Sequence, residues 1–184
     1  MNAGDVEIAG KTMHVLLTEE QIQSRVRELG AEITERYRDV DGELVLLTVL
    51  KGSVLFAADL ARSIPLPLTM EFMGVSSYGD STESSGVVQL TLDLSTPVVG
   101  KHLLVVEDIV DTGLTMRYLL NNLATREPAS LRVCTLLDKP SRRRVDVPLD
   151  FVGFAIDDHF VVGYGLDYEQ RYRNLRFIGT MVDA

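Results

Sequence analysis

What the sequence has little of narrows its function before any motif is read. Its 184 residues include a single cysteine, Cys134, so no internal disulfide can form. That cysteine sits in the apolar run Leu131 to Leu137, where it reads as a small buried hydrophobe rather than a reactive thiol. No apolar run is long: the longest, Leu44 to Leu50, is about a third of the ~20 residues a bilayer span needs. The chain opens without a basic-then-apolar leader, and a cytoplasmic protein is expected. Positive charge is in deficit, with 18 Lys and Arg against 27 Asp and Glu and a net charge of −9. Affinity for nucleic acid carried by general surface charge is thereby excluded, so any phosphate must be held locally. No repeat, linker or low-complexity block divides the chain, and a composition 46% apolar and 24% charged suits one domain, 1–184, with its own core. The three histidines lack metal-ligand spacing.

What is present alternates between two periodicities. Thr18-Glu-Glu-Gln21 has capping-box form, and Ile22, Val26, Leu29 and Ile33 behind it recur at helical steps, which predicts a helix over about 18–38. Leu44 to Leu50 is short and continuously apolar, as a strand buried on both faces must be. Lys51-Gly-Ser53 breaks it, and a helix over 54–62 follows with Ser53 as its cap. A strand is expected over 68–75, then a long flexible loop over 76–86, which is rich in Ser and Gly, and a returning strand over 87–94. His102 to Asp108 reads as a strand, 114–125 as a helix, and 131–137 as a strand; 151–156 and 161–165 are expected to extend the same sheet. Strand alternating with helix argues for an α/β fold with a mainly parallel sheet covered on both faces, ligands binding outside the carboxyl ends of its strands.

The densest chemical signal is Val105-Val-Glu-Asp-Ile-Val-Asp-Thr-Gly-Leu-Thr115. An apolar strand ends in Glu107 and Asp108, a third carboxylate follows at Asp111, and a small polar turn opens a helix. Backbone N–H groups from Asp111 to Thr115, at the positive end of that helix, can cradle one phosphate, with the Thr112 and Thr115 hydroxyls as further donors. Gly113 lets the backbone come close to the anion. Three carboxylates would repel a phosphate, so they must serve sugar hydroxyls or an oxygen-preferring divalent metal. Together these groups suit a phosphorylated sugar. The glycine-rich P-loop pattern is absent, and Gly163-Tyr-Gly165 is followed by Tyr168 where a dinucleotide fingerprint needs glycine.

The segment VVEDIVDTGLTM resembles the phosphoribosyl-pyrophosphate (PRPP) motif of the type I phosphoribosyltransferases. The resemblance implies that family's fold: a mainly parallel central sheet flanked by helices, with a small hood from the terminal segments. It also implies that Glu107 and Asp108 bind the ribose hydroxyls. Residues Ile109, Val110, Asp111, Thr112, Gly113, Leu114 and Thr115 would complete the PRPP and nucleotide site. Further segments are similar to the hypoxanthine-guanine branch, over roughly Leu17 to Val182. Leu50-Lys-Gly-Ser53 resembles its pyrophosphate loop, implying roles for Lys51 and Gly52 and a strained peptide between them. Ser77 and Tyr78 resemble the contact pair of a mobile loop. Lys139, in Leu-Leu-Asp-Lys-Pro140, would bind the O6 and N7 side of a 6-oxopurine. In Phe160-Val-Val-Gly-Tyr-Gly-Leu-Asp-Tyr168, Phe160 would stack on the base, Val161 would meet its edge, and Asp167 would serve base and metal.

Arg173 would reach the pyrophosphate, for which an arginine fork suits better than a lysine. The implied reaction is Mg²⁺-dependent transfer of the phosphoribosyl group to N9 of hypoxanthine or guanine, giving IMP or GMP and pyrophosphate, with Asp111 as general base. Glu107, Asp108 and Asp167 would be the metal ligands, and the assembly a homodimer or homotetramer, with neither nucleic acid nor membrane as partner. Where the family has Ile-Pro-Asp, this chain has Ile156-Asp157-Asp158, which adds charge near the base. A xanthine-preferring enzyme therefore stays open, as does an RNA-binding regulator on the same fold.

Overall fold

The computed structural model describes residues 4–8, 10–77 and 88–181. Helix α1 (Glu19–Tyr37) starts where its capping box directs: the Thr18 hydroxyl accepts from the Gln21 N–H and the Gln21 side chain accepts from the Thr18 N–H at 2.8 Å. Strand β3 (Leu44–Leu50) is buried throughout except at Leu50. It pairs in parallel with β4 (Leu68–Ser77) on one side and β6 (His102–Val110) on the other. Beyond β6 lie β7 (Ser130–Asp138) and β8 (Phe151–Ala155), both parallel, while β5 (Val88–Leu92) closes the far edge antiparallel to β4. The sheet order is β5-β4-β3-β6-β7-β8.

The alternation along each strand sends side chains into two separate cores. Leu44 and Leu46 of β3 and Leu104 and Val106 of β6 meet α1 and α2 (Val54–Arg62) on one face. Val45, Leu47 and Val49, with Leu103 and Val105, meet Met116, Leu119 and Leu123 of α3 (Leu114–Ala124) on the other. A continuous apolar strand is what this arrangement requires, because neither face can be left polar. Cys134 is fully buried in the first core, and burial holds its thiol well above the usual range, which makes it inert.

A second sheet stands apart, in the order β1-β2-β10-β9, formed by β1 (Asp5–Ile8), β2 (Lys11–Leu17), β9 (Val161–Val162) and β10 (Ile178–Met181). All its pairings are antiparallel. This corrects the expectation that 161–165 extends the main sheet: β9 pairs with β10, and the chain turns away at Gly163 after only two residues. The expected boundary at 75 is also moved, since β4 runs on to Ser77 against Val88. The remainder of the predicted loop, Tyr78 included, lies outside the described residues. Among the described residues no helix is long and apolar enough to cross a membrane.

Candidate active site

Strand β6 outruns its neighbour. Its pairing with β3 stops at Val106, whereas its pairing with β7 continues to Val110. The stretch from Glu107 onward is therefore held on one side only, and its other side lines a cavity of about 300 Å³. That cavity opens beyond the carboxyl ends of β3 and β6, where parallel α/β sheets bind ligands. Its walls bring together Lys51, Gly52, Glu107, Asp108, Ile109, Val110, Asp111, Thr112, Gly113, Thr115, Asp167 and Arg173. Leu114 does not line it; that residue opens α3.

Glu107 and Asp108 form the floor. Burial, followed by the neighbouring Asp108 charge, holds the Glu107 carboxyl well above its ordinary range, and burial also raises Asp108. Between them sits Ser53, fully buried, whose hydroxyl accepts from the Asp108 N–H at 2.9 Å and donates to Glu107 Oε1 at 3.3 Å. The sequence reading of Ser53 as a helix cap is thus corrected. It does occupy the N-cap position of α2, but its side chain makes no cap bond because the acid pair engages it instead.

At the far wall Gly113, at φ +84°, turns the chain into α3. The first turn of α3 carries no acidic residue, whereas α1 has Glu19 and Glu20 there. An anion is thus favoured at this helix start.

The opposite wall is a contact between two backbones. The peptide Leu50–Lys51 is cis. The special peptide was expected one residue later, between Lys51 and Gly52; glycine's tolerance concerns φ and ψ and gives no signal for ω. A Cβ on Gly52 would lie 1.6 Å from Asp108 Oδ2, and one on Gly165 would lie 1.9 Å from the Gly52 carbonyl oxygen. Glycine at both positions lets the 50–53 loop, the acid pair and the 163–165 turn lie against one another.

That turn is itself fixed. Gly165 donates to the Arg173 carbonyl and Tyr164 to the Leu175 carbonyl, both at 2.9 Å. The buried Tyr164 hydroxyl donates to Asp59 at 2.7 Å. Burial and the Asp59 carboxylate push that phenol far up.

Arg173 binds the Gly165 carbonyl at 2.7 Å and Asp167 at 2.8 Å. Gln170 accepts from both Arg173, at 3.1 Å, and Lys51, at 3.4 Å. Gln170 carried no signal in the sequence; it acts from a left-handed backbone at φ 63° that no local pattern announces.

Of the residues expected at the base, Asp167 lines this cavity, whereas Lys139, Phe160 and Val161 stand outside it. Lys139 is 7% exposed, and its Nζ lies 3.5 Å from Asp158 Oδ1. Its N–H donates to the Val110 carbonyl at 3.0 Å, which ties it to the end of β6. Phe160 is 55% exposed and meets Tyr168 edge-on with ring centroids 5.9 Å apart. Val161 is buried in β9, paired with Thr180. The extra charge anticipated at Asp157 is borne by an exposed side chain, and the carboxylate beside Lys139 belongs to Asp158. Ser77 ends β4; Tyr78 lies outside the described residues.

Among the described residues no cluster of three His, Cys, Asp or Glu is close enough to hold a metal ion. Magnesium, however, is commonly held by one or two carboxylates with water and substrate phosphates supplying the rest. Two partly buried, mutually repelling carboxylates on the cavity floor, with Asp167 on its wall, suit such a cation.

A sequence profile described as Phosphoribosyl transferase domain matches residues 16–169. A hypoxanthine-guanine phosphoribosyltransferase of Mycobacterium avium is 58% identical over 176 residues, covering 94% of this chain and 87% of the relative. A hypoxanthine phosphoribosyltransferase of Salmonella typhimurium is 50% identical over 171 residues, covering 93% of this chain and 96% of the relative. The crystal structure of a hypoxanthine phosphoribosyltransferase from Staphylococcus aureus superposes with a TM-score of 0.86 at 48% identity, covering 91% of this chain and 90% of that one.

Proposed function

The chain belongs to the phosphoribosyltransferase family, and on that premise we propose that it transfers the 5-phosphoribosyl group of PRPP to N9 of hypoxanthine or guanine, releasing pyrophosphate and forming IMP or GMP in purine salvage. It has the type I phosphoribosyltransferase fold. The whole chain, 1–184, acts as one such domain, in the cytoplasm, as a homodimer or homotetramer. The observation that carries the reading is a single cavity at the strand ends uniting an acid pair, a helix start free of acids, and two cations.

Each part answers a charge in the reaction. Glu107 and Asp108 hold the ribose hydroxyls, and the Thr112–Thr115 turn takes the 5′-phosphate. As the bond from C1′ to pyrophosphate breaks, positive charge grows on the sugar and negative charge on the leaving group. Lys51, Arg173 and the backbone at Gly52 stabilise the latter, and the acid pair faces the former. Asp111 accepts the N7 proton as N9 attacks C1′. Lys139 faces the purine O6 and N7, so an amino group at position 6 would set donor against donor. Phe160 stacks on the base with the Val161 backbone at its edge. Magnesium, when bound, is held through Glu107, Asp108 or Asp167 and neutralises charge on the pyrophosphate. Ser77, at the end of β4, and Tyr78 after it would contact the substrate as the site closes.

The test is pyrophosphate release with PRPP and Mg²⁺, offering hypoxanthine, guanine, xanthine and adenine in turn beside a blank without base. Turnover with hypoxanthine and guanine but not adenine is expected. Equal turnover with adenine would refute the part given to Lys139, and no turnover with any purine would refute the reaction.

A further inference from the structure

The reaction just described leaves Arg142 and Asp158 without a part, yet they stand between the group that meets the purine edge and the group that takes the proton. Arg142 Nε lies 3.1 Å from Asp111 Oδ1, and its Nη1 lies 3.2 Å from Asp158 Oδ2. The other oxygen of Asp158 lies 3.5 Å from Lys139 Nζ. The four groups thus form a row of alternating charge: Lys139, Asp158, Arg142, Asp111. Three separate segments build it. Lys139 follows β7, and the 3₁₀ turn Pro140–Arg142, closed by the Arg142 N–H on the Lys139 carbonyl at 3.1 Å, carries Arg142 back to Asp111. Asp158 comes from the connection between β8 and β9.

These pairs do little for the fold. The side chains of Arg142, Asp111 and Asp158 are 44%, 38% and 49% exposed, and ion pairs so open to water contribute little stability. Their geometry is nevertheless specific. A guanidinium is a rigid plane, and this one engages two carboxylates through two different nitrogens, which a lysine ammonium cannot reproduce at fixed angles. A carboxylate otherwise turns broadly about its terminal torsion. With Oδ1 held by Arg142, the second oxygen of Asp111 is left in a defined orientation.

Resting on the roles given above to Asp111 and Lys139, we propose that Arg142 is a positioning residue for the general base, and that Asp158, which contacts both Lys139 and Arg142, gives up Lys139 and keeps Arg142 as the purine binds. A 6-oxo group arriving at Lys139 competes with Asp158 for the ammonium. Asp158 released from Lys139 remains on Arg142. Its charge then balances the guanidinium when Asp111 becomes neutral on taking the N7 proton, so that no cation is stranded at that moment. Base recognition and proton removal are thereby coupled through two residues that need not touch the substrate.

Steady-state kinetics of Arg142→Gln, Arg142→Lys, Asp158→Asn and the double variant, run beside Asp111→Asn and followed by thermal melts, test this. Arg142→Gln should lower kcat about 10- to 100-fold, the scale of a small misplacement of a reacting group. Its KM for PRPP should stay within about twofold, because no group that binds PRPP is removed. Arg142→Lys should recover only part of the loss, and adding Asp158→Asn to Arg142→Gln should cost nothing further, because both act through one row. If Asp111→Asn is slow while Arg142→Gln keeps wild-type kcat, the proposal is overturned and the reading of Asp111 stands. If Asp111→Asn is itself as fast as wild type, both fall. A fall in kcat accompanied by a lowered melting temperature and a raised KM for PRPP would show a merely structural role and would also overturn it.

Discussion

Replacing Gly165 by alanine probes how far the pyrophosphate loop depends on the turn that abuts it. The added Cβ would lie 1.9 Å from the Gly52 carbonyl oxygen, and real Cβ atoms essentially never come closer than 3.0 Å, so the two backbones must separate by about 1.1 Å. The 163–165 turn is the less able to yield. It is tied by the Gly163 N–H to Leu166, the Tyr164 N–H to Leu175, the Gly165 N–H to Arg173, and the Tyr164 hydroxyl to Asp59. On the other side Ser53 is anchored through its hydroxyl to Asp108 and Glu107, but Lys51 is held more weakly, by the Val54 N–H on its carbonyl and by Gln170 on its ammonium, each at 3.4 Å. The 50–53 loop therefore moves and takes Lys51 with it.

A misplacement of ~1 Å in a reacting assembly costs on the order of 100-fold, so kcat/KM for PRPP should fall by about that factor. The backbone at φ +103° adds strain of about 1–3 kcal/mol. For a chain of this size that corresponds to a Tm lower by roughly 2–12 °C. Preference between hypoxanthine and guanine should not change, because Lys139 and Phe160 stand outside the cavity wall that moves. Initial rates at varied PRPP with a melting curve on the same preparation decide it. A lowered Tm with kcat/KM within about twofold of wild type would show that the contact braces the fold without placing the loop, and the reasoning would be wrong.

Asp111→Asn should lower kcat by about 10²–10⁴ with little change in PRPP binding, read from single-turnover rates beside an equilibrium titration. Ser53→Ala removes a buried hydroxyl that serves both floor acids and leaves the Asp108 N–H without its acceptor. A loss of about 1–3 kcal/mol is expected, with a raised KM for PRPP, and chemical denaturation measures the first. Glu107→Gln should raise stability at neutral pH in metal-free buffer. The folded-state pKa of Glu107 lies well above the ordinary 4.5, so the folded protein binds that proton more tightly and loses stability as pH rises from 4.5 toward the raised value. Glutamine escapes this penalty, so the Tm difference should be small near pH ~4 and favour the variant near pH ~8; an equal difference at both would refute it.

How much was legible in the sequence depended on whether the signal was local. Leu44 to Leu50 announced a doubly buried strand because both cores draw on the same seven residues. The VVEDIVDTGLT segment placed eight of its eleven residues, Glu107 to Gly113 and Thr115, on one cavity because strand end, turn and helix start are contiguous. Where partners are distant, reading failed. Val161 and Val162 look like any apolar strand, and only pairing with Thr180 and Gly179 assigns them to the second sheet. Ser53 has the chemistry of a cap and stands at a cap position, yet two acids more than 50 residues away claim its hydroxyl. Asp157 drew notice as the departure from the family pattern, while its neighbour Asp158 makes the contacts with Lys139 and Arg142.

The order of the small sheet bears on how the chain is made. Strand β10 lies between β2 and β9, so among the described residues it alone joins the amino-terminal hairpin to the rest of that sheet. On the ribosome, Leu17 emerges about 160 residues before Ile178, a wait of roughly 10–30 s at 5–20 residues per second. Throughout it, β2 presents an open strand edge to other nascent chains. The polar, exposed His14, which comes to pair with Thr180 on that edge, is the kind of side chain that discourages pairing between molecules until the proper strand arrives.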